Sequence, residues 1–529
     1  MIRTILIHPK NVFDPAVSGE DRWPYTWANA LHVTTRERVI RRELLIRPGD
    51  RADPLLLDES ERILRALPFI KDSRVRTRPV GDGRVDVLVE TLDSWTTQPQ
   101  ADFGREGEEN RFAMGFLEEN LLGYGKSASY FYRDEPEGVS HQYSYGDPQL
   151  LGSRARLNFI YDNTPTGNKE NLSLAQPFYS LDTRQAGGLG WLHDDELQRV
   201  VQNGVETTHY RRDHHEGGAF VGRRINRDPL SAHRLLLRYS YITDRFRSEP
   251  TTPPGTLPEY TTRTGPHLEW NWIQADFIKE TFVDRAERVE DINLGHQAIV
   301  SAGYAGRSLG STDVTLPLSV THSFGLRRRN SAFALASYGM TGRFNTYAPG
   351  QAGGRLDNTL YYLNVNTYKR LPTEFPFTGV AHLESAYVQN MNTENLLQLG
   401  GDRGLRGFKS KSFTGNKSIL LNIEGRAFYP HEVLHLAYVG GACFMDVGQV
   451  RAQGETFTRK DVHASVGVGL RLGLTRSTSG SVYRFDVAYA VGPLPLQDKR
   501  VVFSIAAGQG FKRSANSYEK FPGLKSTGD

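Results

Sequence analysis

From about residue 110 to residue 511 the sequence alternates apolar and polar residues with period two, in runs of about ten, with almost no helical spacing between them. Ala437, Val439, Gly441, Cys443, Met445 and Val447 share one uncharged face, against Tyr438, Gly440, Ala442, Phe444 and Asp446. Ala464, Val466, Val468, Leu470 and Leu472 repeat the rule against His463, Ser465, Gly467, Gly469 and Arg471. So do Tyr483, Phe485, Val487 and Tyr489 against Arg484, Asp486 and Ala488. Ile419, Leu421, Ile423 and Ala427 likewise oppose Asn422, Glu424 and Arg426. A soluble sandwich would turn the apolar face to a core and the charged face to water. Strands of about 9–11 residues, repeated over some four hundred residues, instead predict a transmembrane barrel, apolar face to lipid and charged face to the lumen.

Composition agrees. A hydrophobic share of 38% suits a wet interior, and 52 glycines and 24 tyrosines suit kinked strands with aromatic girdles. No apolar run approaches the ~18 residues of a membrane helix. The single cysteine, Cys443, excludes an internal disulfide and falls on the lipid face. A net charge of +4 with dispersed basic residues gives no nucleic-acid footprint.

One stretch breaks the alternation. Gly400-Gly401-Asp402-Arg403-Gly404-Leu405-Arg406-Gly407-Phe408 has four glycines in nine residues, too many for a helix or a regular strand. It reads as a shaped loop that carries fixed positive charge and needs an acidic partner. Asp446, on the charged face of Phe444-Met445-Asp446-Val447-Gly448, is the candidate. Leu405-Arg406-Gly407-Phe408 resembles the Val-Arg-Gly-Phe/Tyr motif of the BamA/TamA superfamily of outer-membrane assembly and translocation barrels, with leucine in place of the usual valine. Phe444, Asp446 and Gly448 match that family's F-x-D-x-G setting. The resemblance implies that the sixth extracellular loop tucks into the lumen, where Arg406, with Gly407 and Phe408, is locked to Asp446. Glu424, Arg471 and Asp486 lie on neighbouring lumenal faces and extend the expected network.

Along the chain, residues 1–33 read as an irregular lead, strand-like near Thr4–Ile7. Residues 34–92 read as a small α+β module: a strand over 39–46, a helix from Pro54 through Leu67, and a hairpin turning at Gly81-Asp82-Gly83. The module resembles a POTRA domain, the periplasmic unit that precedes these barrels. Residues 93–109 read as a linker, 110–511 as the barrel and 512–529 as a polar tail. Asn120 to Lys126 resembles a turn between the family's first two strands, and Pro177–Arg184 a later loop. Strand candidates number more than the about sixteen that the family implies, which suggests that some early ones are halves of longer strands. Phe511 resembles the aromatic ending by which such barrels are recognised for insertion. No secretory leader is legible at Met1–Ile7, so a trimmed start or missing upstream residues are expected.

His431-Glu432-Val433-Leu434-His435 spells H-E-x-x-H, but Pro430 precedes it and strands flank it. Extended, its histidines stand roughly 13 Å apart, so a periplasmic turn is expected rather than a zinc site. His209, His214, His215 and Glu216 sit beside Arg211 and Arg212, which disfavours a cation and predicts a solvated loop. The expectation is therefore no enzyme, no catalytic residue, no metal and no cofactor. The chain is read as a mainly β protein of the bacterial outer membrane, an antiparallel barrel of about sixteen strands after a periplasmic POTRA-like domain. It would insert or translocate unfolded outer-membrane or secreted polypeptides, contact outer-membrane lipid, accept accessory periplasmic proteins and bind no nucleic acid. The alternatives are a two-partner secretion transporter and a passive porin-like channel.

Overall fold

The computed structural model describes residues 1–508 apart from 107–108, 136–137, 204, 329–331, 347–355, 372, 392–395, 478–481, 493 and 495–498. Phe511 and the tail 512–529 lie outside the described residues.

The N-terminal unit is a three-stranded sheet with two helices packed on it, Glu37–Glu43 and Pro54–Ala66, and a short helix Tyr25–Leu31 before them. Strand Ile2–Lys10 runs parallel to Arg84–Asp93, which pairs antiparallel with Ile70–Gly81. Residues 1–33 are therefore not an irregular lead. Ile2, Ile5 and Ile7 are buried with Ile40, Leu44, Leu64, Val87 and Val89, so the first strand completes the core. The strand expected over 39–46 is instead helix Glu37–Glu43 followed by extended residues. Val39 and Ile40 lie on its buried side, and a two-residue apolar pair does not distinguish helix from strand. Helix Pro54–Ala66 forms as expected, with the Asp53 carboxylate accepting from the Leu55 amide at its start.

The remainder is dominated by one antiparallel sheet. Among the described residues twenty strands follow one another in chain order from Thr97–Glu106 to Val501–Ala507, and the last is placed beside the first as a barrel. The expectation of about sixteen strands is too low. The early candidates are separate strands rather than halves, each paired along its length, and residues 93–109 are no plain linker, since Thr97–Glu106 pairs with Glu109–Glu118. Pro99, Gly104 and a run of polar residues masked that strand's alternation.

The alternation sorts as the physics of a bilayer requires. Val468 and Leu470 are 62% and 63% exposed, whereas Arg471 and Asp486, on the opposite face of adjacent strands, are 0% and 2% exposed. Cys443 is on the exposed face with Val439 and Met445. Where the outward face meets the barrel end nearer the N-terminal unit, His233, Trp272, His296 and His322 stack in file at centroid spacings of 5.8, 5.5 and 5.2 Å. Amphipathic rings at a barrel rim are what an interfacial girdle needs.

The N-terminal unit is bolted to that proximal end through successive turns. Asn120 donates to Thr35 Oγ1 at 2.9 Å and accepts from the Gly125 amide at 2.7 Å. Gln149 donates to Glu43 at 2.6 Å, and the Leu181 amide donates to Glu59 at 2.8 Å. Arg476 pairs with Glu20 at 2.7 Å.

Candidate functional site in the barrel lumen

Between strands Phe377–Gln389 and Lys417–Phe428 the chain makes a long distal connection whose base is a short ladder, Leu397–Leu399 with Phe413–Gly415. Its tip, residues 400–408, is folded inward. Gly400, Gly401 and Gly404 have φ of +121°, +57° and +101°, values that side chains resist. Gly407 is required by space: a Cβ there would stand 2.7 Å from Ser465 Cβ and 3.0 Å from the Ala490 amide nitrogen. Leu405 and Phe408 are fully buried beside Leu399, Leu420 and Ala490, so the tip has its own apolar seat against the barrel wall.

That seat aims Arg406 at the predicted partner. Arg406 donates from Nε and Nη2 to the two oxygens of Asp446 at 3.0 and 2.8 Å, and its amide donates to Asp446 at 3.2 Å. The fork is bidentate, the strong geometry for arginine and carboxylate. Arg406 also donates from Nη1 to Glu424 at 2.6 Å and lies 3.6 Å from Asp486. Arg471 joins Glu424 at 3.1 Å and Asp486 at 2.5 Å. Arg406, Asp446, Glu424, Arg471 and Asp486 thus converge in one cluster, with Gly407 and Phe408 packed beside it.

Sequence reasoning missed several members. Arg426 donates to Glu424 at 2.9 Å, and Arg484 lies 3.5 Å from Asp486. Asn422 bridges Gly404 O and Asp446 at 2.7 Å each, Ser465 donates to Asp446 at 3.2 Å, and the Arg406 guanidinium lies 3.4 Å from the Phe444 ring centre. The signal was register. Asn422 faces Asp446, which faces Ser465, and Arg471 faces Arg484, all on the lumenal parity. Gly467 and Gly469 also find their reason here. A Cβ on Gly467 would meet Phe444 Cζ at 2.3 Å, and one on Gly469 the Asp486 carboxylate at 1.9 Å. Buried charges persist only when paired and hydrogen-bonded, and these carboxylates are.

The other candidates disperse. His209, His214, His215 and Glu216 lie on strand Val205–Arg224, not in a solvated loop. Alternation splits them: His214 turns to Asp244 at 2.8 Å, while His215 stacks on His193 and reaches Asp213 at 3.0 Å. His193, Asp213 and His215 are close enough together to ligate a cation, as are Glu20, Glu432 and His435. In the latter group the Arg476 guanidinium contacts both acids, at 2.7 and 3.2 Å, so positive charge is already supplied there. His431 packs on Tyr429 away from it.

A second element also enters the lumen, from the proximal end. The connection 275–296 carries a hairpin, Phe277–Glu280 with Glu290–Asn293. Ile278, Val283, Ile292 and Leu294 pack on Phe333, Tyr368 and Val380, and Phe282 packs on Phe428 and Tyr438.

A wide antiparallel barrel, apolar outside and charged inside, with its own distal loop drawn in and held by a buried arginine, defines a transmembrane β-barrel of the outer-membrane type. The Omp85 superfamily domain matches residues 102–511, and the chain belongs to that superfamily. Among solved structures it is similar to BamA from Haemophilus ducreyi lacking POTRA domains 1–3, at 14% identity and TM-score 0.40, covering 96% of this chain and 83% of that one. It is also similar to CdiB from Acinetobacter baumannii, at 11% identity and TM-score 0.45 over 96% of this chain and 73% of that one. For CdiB from Escherichia coli the figures are 10%, 0.46, 96% and 76%. The family assignment rests on the domain match and not on these likenesses. No curated protein matches the chain.

Proposed function

We propose that this barrel inserts polypeptides into the outer membrane or translocates them across it, with residues 400–408 as a lumenal loop locked by Arg406 and Asp446. The observation that carries the reading is the buried bidentate pair inside a cluster of three carboxylates and four guanidinium groups, Arg406, Arg426, Arg471 and Arg484. A passive pore gains nothing from sealing its own loop with buried charge, whereas a barrel that must open on demand needs a discrete, breakable closure. In this reading the N-terminal unit is a POTRA-like periplasmic domain that adds a client strand to an edge of its three-stranded sheet, main chain to main chain. The barrel wall parts between Thr97–Glu106 and Val501–Ala507. No chemical step is proposed for the chain itself, and lipid is its surroundings.

The test is reconstitution of the full chain in lipid vesicles. One arm follows folding of an unfolded outer-membrane barrel by heat-modifiable gel mobility. The other follows protease protection of a secreted polypeptide taken into the vesicle. Activity in either arm that falls with Arg406→Ala supports the reading and assigns insertion or translocation. A steady ion conductance with neither activity would instead identify a porin-like channel and end it.

A further inference from the structure

The connection 275–296 is anchored at one end and buried at the other. Its root joins strands Thr261–Gln274 and Gln297–Gly303. Its tip crosses the proximal mouth of the barrel to strands much further round: Phe282 reaches Phe428 and Tyr438, and Ala286 sits against Gly473 and Val482. Within the lumen, Arg370 donates to Thr281 Oγ1 at 2.7 Å, and Thr378 donates to Phe282 O at 3.0 Å.

The N-terminal unit latches the same segment from outside. Arg65 donates to both oxygens of Asp291 at 2.8 Å. Lys279 pairs with Glu61 at 2.8 Å and Lys71 with Glu287 at 3.3 Å, and Arg62 lies over the Phe277 ring. Arg288 donates to the carbonyls of Arg65, Leu67 and Ile70 at 3.1, 3.3 and 2.6 Å, where helix Pro54–Ala66 ends. The Arg65 carbonyl, in the last turn of that helix, is one of those left without a partner within it, and the helix dipole favours a cation beside it. The segment also touches the lock, since Arg426 donates to Val283 O at 2.9 Å and to Glu424 at 2.9 Å, and Glu424 accepts from Arg406.

We infer that residues 275–296 are a displaceable gate across the proximal mouth, latched by the N-terminal unit and joined through Arg426 and Glu424 to the Arg406 loop. This deepens the proposed function and rests on it for its purpose: a polypeptide that engages the N-terminal unit withdraws the latch, and withdrawal of Val283 frees Arg426 to loosen the loop from below. The two closures of the lumen are then released together.

The test is ion conductance of the full chain in planar bilayers, which needs no client. Residues 281–289 are replaced by a short Gly-Ser turn; Glu280 faces Glu290 in the hairpin ladder, so the shortened hairpin still closes. The replacement is made both in the native chain and with Arg406→Ala, where the upper loop no longer limits the pore. Heat-modifiable mobility establishes that each barrel is folded. The expected result is a several-fold rise in steady conductance over the parent. Conductance equal to the parent in both backgrounds overturns the gate while leaving polypeptide handling untouched. For the latch, Arg65→Met and Asp291→Asn are each expected to raise the open probability, and the double variant no further than either alone. Additive effects overturn the latch. A conductance gain in a chain inert toward clients retains the gate and refutes the proposed function instead.

Discussion

Replacing Arg406 by alanine removes the group on which the loop turns. Asp446 loses both bonds from the Arg406 side chain, keeping those from the residue-406 amide, Asn422 and Ser465, and Glu424 loses one, keeping Arg426 and Arg471. Asp446 and Glu424 are each 0% exposed in the side chain, so water does not replace the lost donors. Breaking one partner out of a buried pair typically costs about 3–5 kcal/mol. At 1.4 kcal/mol per tenfold, the released population of the loop rises by roughly two to nearly four powers of ten. Phe408, fully buried when the loop is seated, is the reporter. Chymotryptic cleavage after Phe408 in the full chain follows the released population when reseating is faster than cleavage. Arg406→Lys keeps the charge but not the fork and is expected between the two. Asp446→Asn keeps the volume and leaves Arg406 with Glu424, giving an independent release should the alanine variant fail to fold. Cleavage within about threefold of wild type in both Arg406→Ala and Asp446→Asn, on barrels that remain heat-modifiable, would be far below the loss a buried pair commands and would refute the reasoning.

Gly407→Ala places a methyl against Ser465 and the Ala490 backbone. Overpacking of about 1–3 kcal/mol is expected to unseat the loop with Arg406 intact, read by the same cleavage. Leu470→Arg puts a charge on the lipid face and is expected to cost about 2–4 kcal/mol in denaturant unfolding from vesicles; an unchanged midpoint would deny that this face meets bilayer. Glu61 titrates at about 2 in the folded chain. Burial favours its neutral form, but Lys279, the Val75 amide and Arg65 outweigh it. Its folded value is depressed, so its stabilisation is complete above its ordinary 4.5 and is lost as pH falls through about 2. Thermal melting of the full chain across that window should fall more steeply for wild type than for Glu61→Gln; equal slopes would show that Glu61 holds nothing.

Much of the barrel and the centre of its site was legible because both are matters of parity. Placing Asp446, Glu424, Arg471 and Asp486 on the lumenal face needed only the alternation; the glycine-rich break singled out Arg406, and the family resemblance implied that its loop turns inward. Arg426 and Arg484 were already on that face, two residues from Glu424 and Asp486 on the same strands, but the bond from Arg426 to Val283 O depends on a loop 143 residues away. The N-terminal sheet was misread because strand Ile2–Lys10 pairs with residues some eighty positions later, in parallel, and its isoleucines do not keep strict alternation. The gate segment gave no signal at all. Its residues are an unremarkable mixture until the hairpin, the helix end it caps and the lumenal aromatics are brought together.

Period-two patterning by itself determined that this chain forms long strands, which side of each is greasy, and which acids and arginines share the enclosed side. A charged row that must leave lipid and an apolar row that must leave water permit one sorting, and local order is enough to state it. The number of strands, the company Arg406 keeps and the path of residues 275–296 were settled only in three dimensions. Each depends on contacts between segments far apart in the chain, and nothing in a local pattern specifies which distant partner fills a given space.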